Sequence, residues 1–156
     1  MSDAATLLER YRRAGLRIVT AESCTGGLVA GRLTDIAGSS DVVERGFVTY
    51  SNEAKIELLG VPAALITHYG AVSAQVVRAM AEGALAHARA DVAIAITGIA
   101  GPGGATPGKP VGLVYLALAR KGSETRVERQ HFAGDRQAVR TDAVDCAIEL
   151  LDAALG

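Results

Sequence analysis

A hydroxyl and a thiol stand side by side in Ala21-Glu22-Ser23-Cys24-Thr25-Gly26-Gly27, where an apolar run, Leu16 to Val19, meets residues with helical spacing, Leu28, Val29, Leu33 and Ile36. Ser23 therefore falls at a strand-to-helix turn. The first amides of a helix lack intrahelical partners and carry partial positive charge, so a nucleophile here sits beside donors for an oxyanion or a phosphate. A second reading needs no chemistry: serine and threonine cap helices, and glycines after a strand permit tight turns. Of the two nucleophiles the thiol of Cys24 is intrinsically the stronger. It needs a partner base, however, and none of His68, His87 or His131 lies in a motif that points at this turn. The three histidines show no metal-ligand spacing, so no metal is expected. Glu22 reads as a structural hydrogen-bonding partner, and Thr25 as a cap or a substrate contact.

Three further clusters carry chemistry. Tyr50-Ser51-Asn52-Glu53-Ala54-Lys55 brings a phenol and an amine to the end of a strand and the first turn of a helix. Lys55 reads either as an acid-base group near the carboxyl ends of the strands, where open α/β sheets bind ligands, or as a solvated charge beside Glu53 or Glu57. Thr97-Gly98-Ile99-Ala100-Gly101-Pro102-Gly103-Gly104 packs four glycines into seven residues, a loop whose backbone can approach a ligand and offer amides to an anion. It matches neither G-x-x-x-x-G-K-[ST] nor G-x-G-x-x-G, so neither a nucleoside triphosphatase nor a Rossmann dinucleotide site is supported. Finally, Arg136 and Arg140 lie four apart at the start of a helix, share a face, and can clamp a phosphate.

These clusters need a scaffold that gathers strand ends. Helical and strand patterns alternate: a stripe of Ala4, Leu7, Leu8 and Tyr11; a strand over 16–21; a helix over 25–37; a strand over 42–50; a short helix over 52–59 capped by Ser51 or Asn52. A loop then runs to Gly70, and Ser73 caps a long helix. An apolar strand over 92–96 follows, and a strand over 111–119 turns at Lys121-Gly122-Ser123 into a polar edge strand over 125–132. A helix over 135–154 closes the chain. The order predicts a single-domain α/β fold, a three-layer α/β/α sandwich with a mainly parallel central sheet and a C-terminal hairpin toward one edge.

Composition bounds the partners. The 156 residues make one domain, long enough to bury roughly 70% of its unfolded surface. A net charge of -1, no tryptophan and two phenylalanines argue against nucleic acid as a partner. No stretch approaches the ~20 apolar residues that span a bilayer, and no leader is visible, so a membrane is not expected. Two cysteines, Cys24 and Cys146, imply no disulfide framework and fit a cytoplasmic setting. The exposed edge strand makes a homo-oligomer the expected assembly.

Read together, AESCTGG at 21–27, TYSNEAK at 49–55, GAVS at 70–73, TGIAGPGG at 97–104 and FAGDRQAVR at 132–140 resemble the motifs of one family across essentially the whole chain. It is the C-terminal domain of the competence-damage-inducible protein CinA, with its stand-alone, PncC-type nicotinamide-nucleotide amidohydrolases. The resemblance implies deamidation of nicotinamide mononucleotide to nicotinic acid mononucleotide and ammonia, without a cofactor. It puts the nucleophile at Ser23, with Tyr50 and Lys55 as its catalytic companions. Lysine serves as a base only when burial lowers its pKa. In the mechanism expected from this match, neutral Lys55 takes the Ser23 proton, Tyr50 hydrogen-bonds the lysine or relays the proton to ammonia, and amides near Cys24 to Gly27 hold the oxyanion. Substrate contacts are expected from Cys24, Thr25, Gly26, Gly27, Thr97, Gly98, Gly101, Pro102, Gly103, Arg136 and Arg140. The alternative is a module of the same fold that binds a nucleotide without turnover.

Overall fold

Alternation along one buried strand divides the core in two. In β3 (Val92–Gly98), Val92, Ile94 and Ile96 face one layer of helices, and Ala93 and Ala95 face the other. In the computed structural model, which describes residues 2–156, β3 is the middle strand of a five-stranded sheet of order β2-β1-β3-β4-β5. β1 (Ile18–Glu22) runs parallel to both β3 and β2 (Val43–Val48). β4 (Leu113–Arg120) and β5 (Arg126–His131) add an antiparallel hairpin beyond β3. The expected parallel centre with a hairpin at one edge is thus the observed sheet.

Helices α1 (Ala4–Ala14), α2 (Leu28–Thr34) and α6 (Arg136–Ala153) cover the face with the large aliphatic residues. α5 (Ala74–Ala86) covers the opposite face, where Ala21, Ala93, Ala95, Ala117 and Ala119 replace bulk with close approach. α3 (Asn52–Leu59) and α4 (Ala63–Tyr69) lie between β2 and α5 in the chain, and both pack on α5. The sandwich is therefore α/β/α. α4 falls where a loop was expected. It has seven residues, none of them buried, so no apolar stripe marks it in the sequence. α2 is also shorter than the expected 25–37, because residues 24–27 form turns and helical geometry starts only after Gly27.

The topology decides where a ligand fits. β1 and β3 are adjacent and parallel, yet the chain leaving β1 goes to β2 on one side, and the chain leaving β3 goes to β4 on the other. Their departing segments split apart, and a crevice opens outside the carboxyl ends of the strands. Ser23 follows β1 directly, Tyr50 and Lys55 follow β2, and the glycine loop follows β3.

Candidate active site

Ser23 leaves the sheet while still tied to it, because its N–H donates to Ile96 O of β3 at 3.0 Å. Gly26 N–H closes the following turn onto Ser23 O at 3.0 Å, and Gly27, at φ 104°, delivers the chain to α2 in a conformation that side-chain-bearing residues avoid. Across the crevice, Ser51 caps α3 by accepting from Ala54 N–H at 3.0 Å, and Gly60 ends the helix in the left-handed region. One turn into α3, Lys55 points inward and is only 1% exposed. Its Nζ lies 3.0 Å from Ser23 Oγ and donates to Thr49 O at 2.8 Å and Tyr50 O at 3.3 Å. Among the described residues no carboxylate pairs with it, so the alternative of a solvated lysine beside Glu53 or Glu57 is excluded. Burial without a counter-charge pushes the Lys55 ammonium below its ordinary value near 10.5.

Cys24 borders the same cleft but is almost fully buried. Its side chain belongs to the aliphatic core beneath α2 and α6, and burial pushes the thiol up to about 11. It is protonated at neutral pH, and Lys55 acts on it through charge alone, without a hydrogen bond. Ser23, with an amine at hydrogen-bonding distance, is the nucleophile the geometry favours.

Ser23 and Lys55 open into a cleft of about 340 Å³ walled by Thr97, Gly98, Ala100, Gly101 and Gly103 on one side and by Tyr50, Asn52 and Arg136 on another. This is the crevice set by the topology, and the five sequence motifs converge on it. The sequence model of the CinA C-terminal domain matches residues 2–155. The chain belongs to the CinA C-terminal domain family. A CinA-like protein of Akkermansia muciniphila is 56% identical over 139 residues, covering 88% of this chain and 34% of that protein. One of Citrifermentans bemidjiense is 55% identical over 151 residues, covering 97% and 36%. The chain thus spans about a third of the length of these curated relatives. Among solved structures, the competence/damage inducible protein CihA from Agrobacterium tumefaciens superposes with a TM-score of 0.94 at 48% identity, covering 97% of this chain and 92% of that one. A competence-damaged protein (CinA) superfamily protein from Escherichia coli gives 0.92 at 40% identity, covering 96% and 87%.

Within this CinA domain the expected site residues separate into two groups. Ser23, Cys24, Tyr50, Lys55, Thr97, Gly98, Gly101, Gly103 and Arg136 line the cleft. Thr25, Gly26, Gly27, Pro102 and Arg140 do not. Thr25 is fully buried and spends its hydroxyl on Glu22 at 2.6 Å. Gly26 and Gly27 shape the turn, backed by Arg140 Nη2 and the Val48 side chain. Pro102 faces a neighbouring cavity of about 480 Å³, which Arg136 also borders. Arg140 donates to Cys24 O at 3.1 Å and Thr25 O at 3.3 Å. The arginine pair therefore splits: helical spacing puts both on one face, but one side chain is consumed by the nucleophile turn and the other reaches the cleft.

Arg136 also corrects the expectation for Tyr50. Its guanidinium donates to Tyr50 Oη at 3.0 Å and to Gly101 O at 2.9 Å, and the tyrosine is 61% exposed. Only the Tyr50 carbonyl touches Lys55, so the phenol does not bond the lysine as expected. Asn52, Ala71, Val72, Ile99, Ala100 and Gly104 complete the lining and were not singled out as contacts. The GAVS motif at 70–73 was the available signal for two of them. Thr97 Oγ1 donates to Ala71 O at 3.0 Å, tying that segment to β3. Of the amides expected to hold the oxyanion, that of Gly26 is spent on Ser23 O, and the helix-start amides beyond them are spent too, Leu28 N–H on Thr25 O and those of Val29 and Ala30 on Glu22. Among the described residues no backbone carbonyl accepts from the N–H of Cys24, Thr25 or Gly27. No three of His, Cys, Asp and Glu among them gather as metal ligands, and no helix is long and apolar enough to cross a membrane.

Proposed function

We propose that this CinA domain hydrolyses the carboxamide of nicotinamide mononucleotide to nicotinic acid mononucleotide and ammonia through a serine-lysine pair. The observation that carries the reading is the 3.0 Å approach of Ser23 Oγ to the buried, carboxylate-free Lys55 Nζ. Neutral Lys55 can donate two N–H groups to Thr49 O and Tyr50 O while its lone pair accepts the serine proton. Ser23 Oγ attacks the carboxamide carbon as Lys55 takes that proton. The oxyanion sits on the amides of the Cys24 to Gly27 turn that no carbonyl engages, with the Cys24 N–H next to the nucleophile. Lys55 then returns the proton to the departing nitrogen, ammonia leaves, and an ester to Ser23 remains. Water, deprotonated by the same lysine, cleaves the ester and restores the serine.

The rest of the cleft suits a mononucleotide. Arg136, at the rim, brings the cation for a phosphate monoester, and the glycine loop brings backbone close to it. The Tyr50 ring, fixed by Arg136, offers a flat face at the mouth. A module that only binds a nucleotide has no use for a buried lysine without a counter-charge, which is costly to fold. Ammonia release from nicotinamide mononucleotide by the purified chain and by Ser23→Ala is the test. Turnover in the wild type that disappears in the variant supports the reading; a wild type that binds the nucleotide and releases no ammonia replaces it with the binding module.

A further inference from the structure

We propose that Glu22 is a positioning residue for Ser23 and acts through the hydroxyl of Thr25. Glu22 is the last residue of β1, immediately before the nucleophile, and is fully buried. Among the described residues no cation pairs with it. Three donors from the following segment converge on its carboxylate instead. Thr25 Oγ1 donates to Oε1 at 2.6 Å, Val29 N–H to Oε1 at 2.9 Å and Ala30 N–H to Oε2 at 3.1 Å.

These bonds tie the middle of the turn that carries Ser23 and the first turn of α2 to a single group. Gly27, at the N-cap of α2, has no side chain to offer the helix, and Glu22 supplies from the strand the acceptor that an N-cap residue would otherwise provide. A buried carboxylate that loses a donor is strongly penalised, so few conformations of residues 23–27 keep all three bonds. The Thr25 hydroxyl is the only donor of the three that comes from inside the turn itself. It therefore transmits the position of Glu22 to the peptide units on either side of Cys24, and with them to Ser23 Oγ. A displacement of about 1 Å at a reacting atom costs on the order of 100-fold in rate.

The inference rests on Ser23 being the nucleophile of the proposed reaction, and its test separates the two. A small alkyl fluorophosphonate, whose phosphorus is attacked by the serine oxygen with loss of fluoride, reports the placement of Ser23 without any nucleotide. Labelling rates are compared for the wild-type chain, Thr25→Val, Thr25→Ser and Glu22→Gln, with kcat and KM on nicotinamide mononucleotide measured beside them. Thr25→Val keeps the shape and removes the donor, and Glu22→Gln serves if Thr25→Val does not fold. Expected is a fall of about 10-fold to 100-fold in labelling rate and in kcat, with KM little changed and most of the loss recovered in Thr25→Ser. A folded Thr25→Val or Glu22→Gln labelled at the wild-type rate overturns the positioning role. A wild type labelled at Ser23 that releases no ammonia from the nucleotide overturns the proposed substrate, while the ratio of labelling rates still decides the role of Glu22.

Discussion

Lys55 Nζ lies 3.0 Å from Ser23 Oγ although 32 residues separate them in sequence, and its other two contacts are carbonyls, Thr49 O and Tyr50 O. An ammonium fills this arrangement with three donors; a neutral amine fills it with two donors and a lone pair aimed at the serine hydroxyl. Burial shifts the balance toward the neutral form.

The rate should therefore rise with pH along a limb set by one proton and level off below the ordinary lysine value of 10.5. Stability moves in the same direction. Between the lowered folded pKa and 10.5 the unfolded chain binds more protons than the folded one, so the contribution of Lys55 grows as pH rises through that window and is lost as pH falls through the folded value. Lys55→Met abolishes ammonia release and melts no lower than the wild type, with its advantage greatest at acid pH. Near-normal rates in Lys55→Met or Lys55→Arg would falsify the base assignment.

Ser23→Ala and Cys24→Ala should part company. The first lowers kcat by about 1,000-fold or more, since the attacking atom is gone. The second removes a core thiol and leaves turnover within about tenfold, at a stability cost of about 1 kcal/mol. Loss of turnover in Cys24→Ala with Ser23→Ala still active would make the thiol the nucleophile.

Arg136→Met removes the cation at the rim and releases Tyr50. KM for nicotinamide mononucleotide should rise about 10-fold to 100-fold, the worth of one charge-assisted contact, while the riboside, lacking the phosphate, is nearly unaffected. Equal turnover of riboside and mononucleotide by the wild type would sink the phosphate assignment.

Gly83 on α5 lets the helix pack against the end of α3: a Cβ there would stand 1.9 Å from Leu59 O. Gly83→Ala must push α3 away, at about 3 kcal/mol of stability, and α3 carries Lys55. Thermal melts should show the loss, and kcat should fall even in the folded protein at low temperature. An unchanged melting temperature would mean that α5 and α3 separate freely.

The sequence by itself determined the elements and the placement of the motifs on them. Local signals sufficed there: Ser51 and Ser73 cap helices through their own hydroxyls, the continuous apolar run from Val92 marks a doubly covered strand, and Ser23 follows a strand directly. Periodicity and capping act over a few residues, so they can be read along the chain. α4 escaped because its seven residues include none that is fully buried and only Leu65 and Ile66 rest partly on the core, too few to leave a periodic trace. Which atoms meet was decided only by tertiary structure. The switch point between β1 and β3 brings Lys55 to Ser23, turns Cys24 into the core, sends Arg136 to Tyr50 and binds Arg140 to the back of the turn. Helical spacing places Arg136 and Arg140 on the same face with equal claim. Their different fates depend on which buried carbonyls lie within reach, and those come from strands and turns far away in the chain.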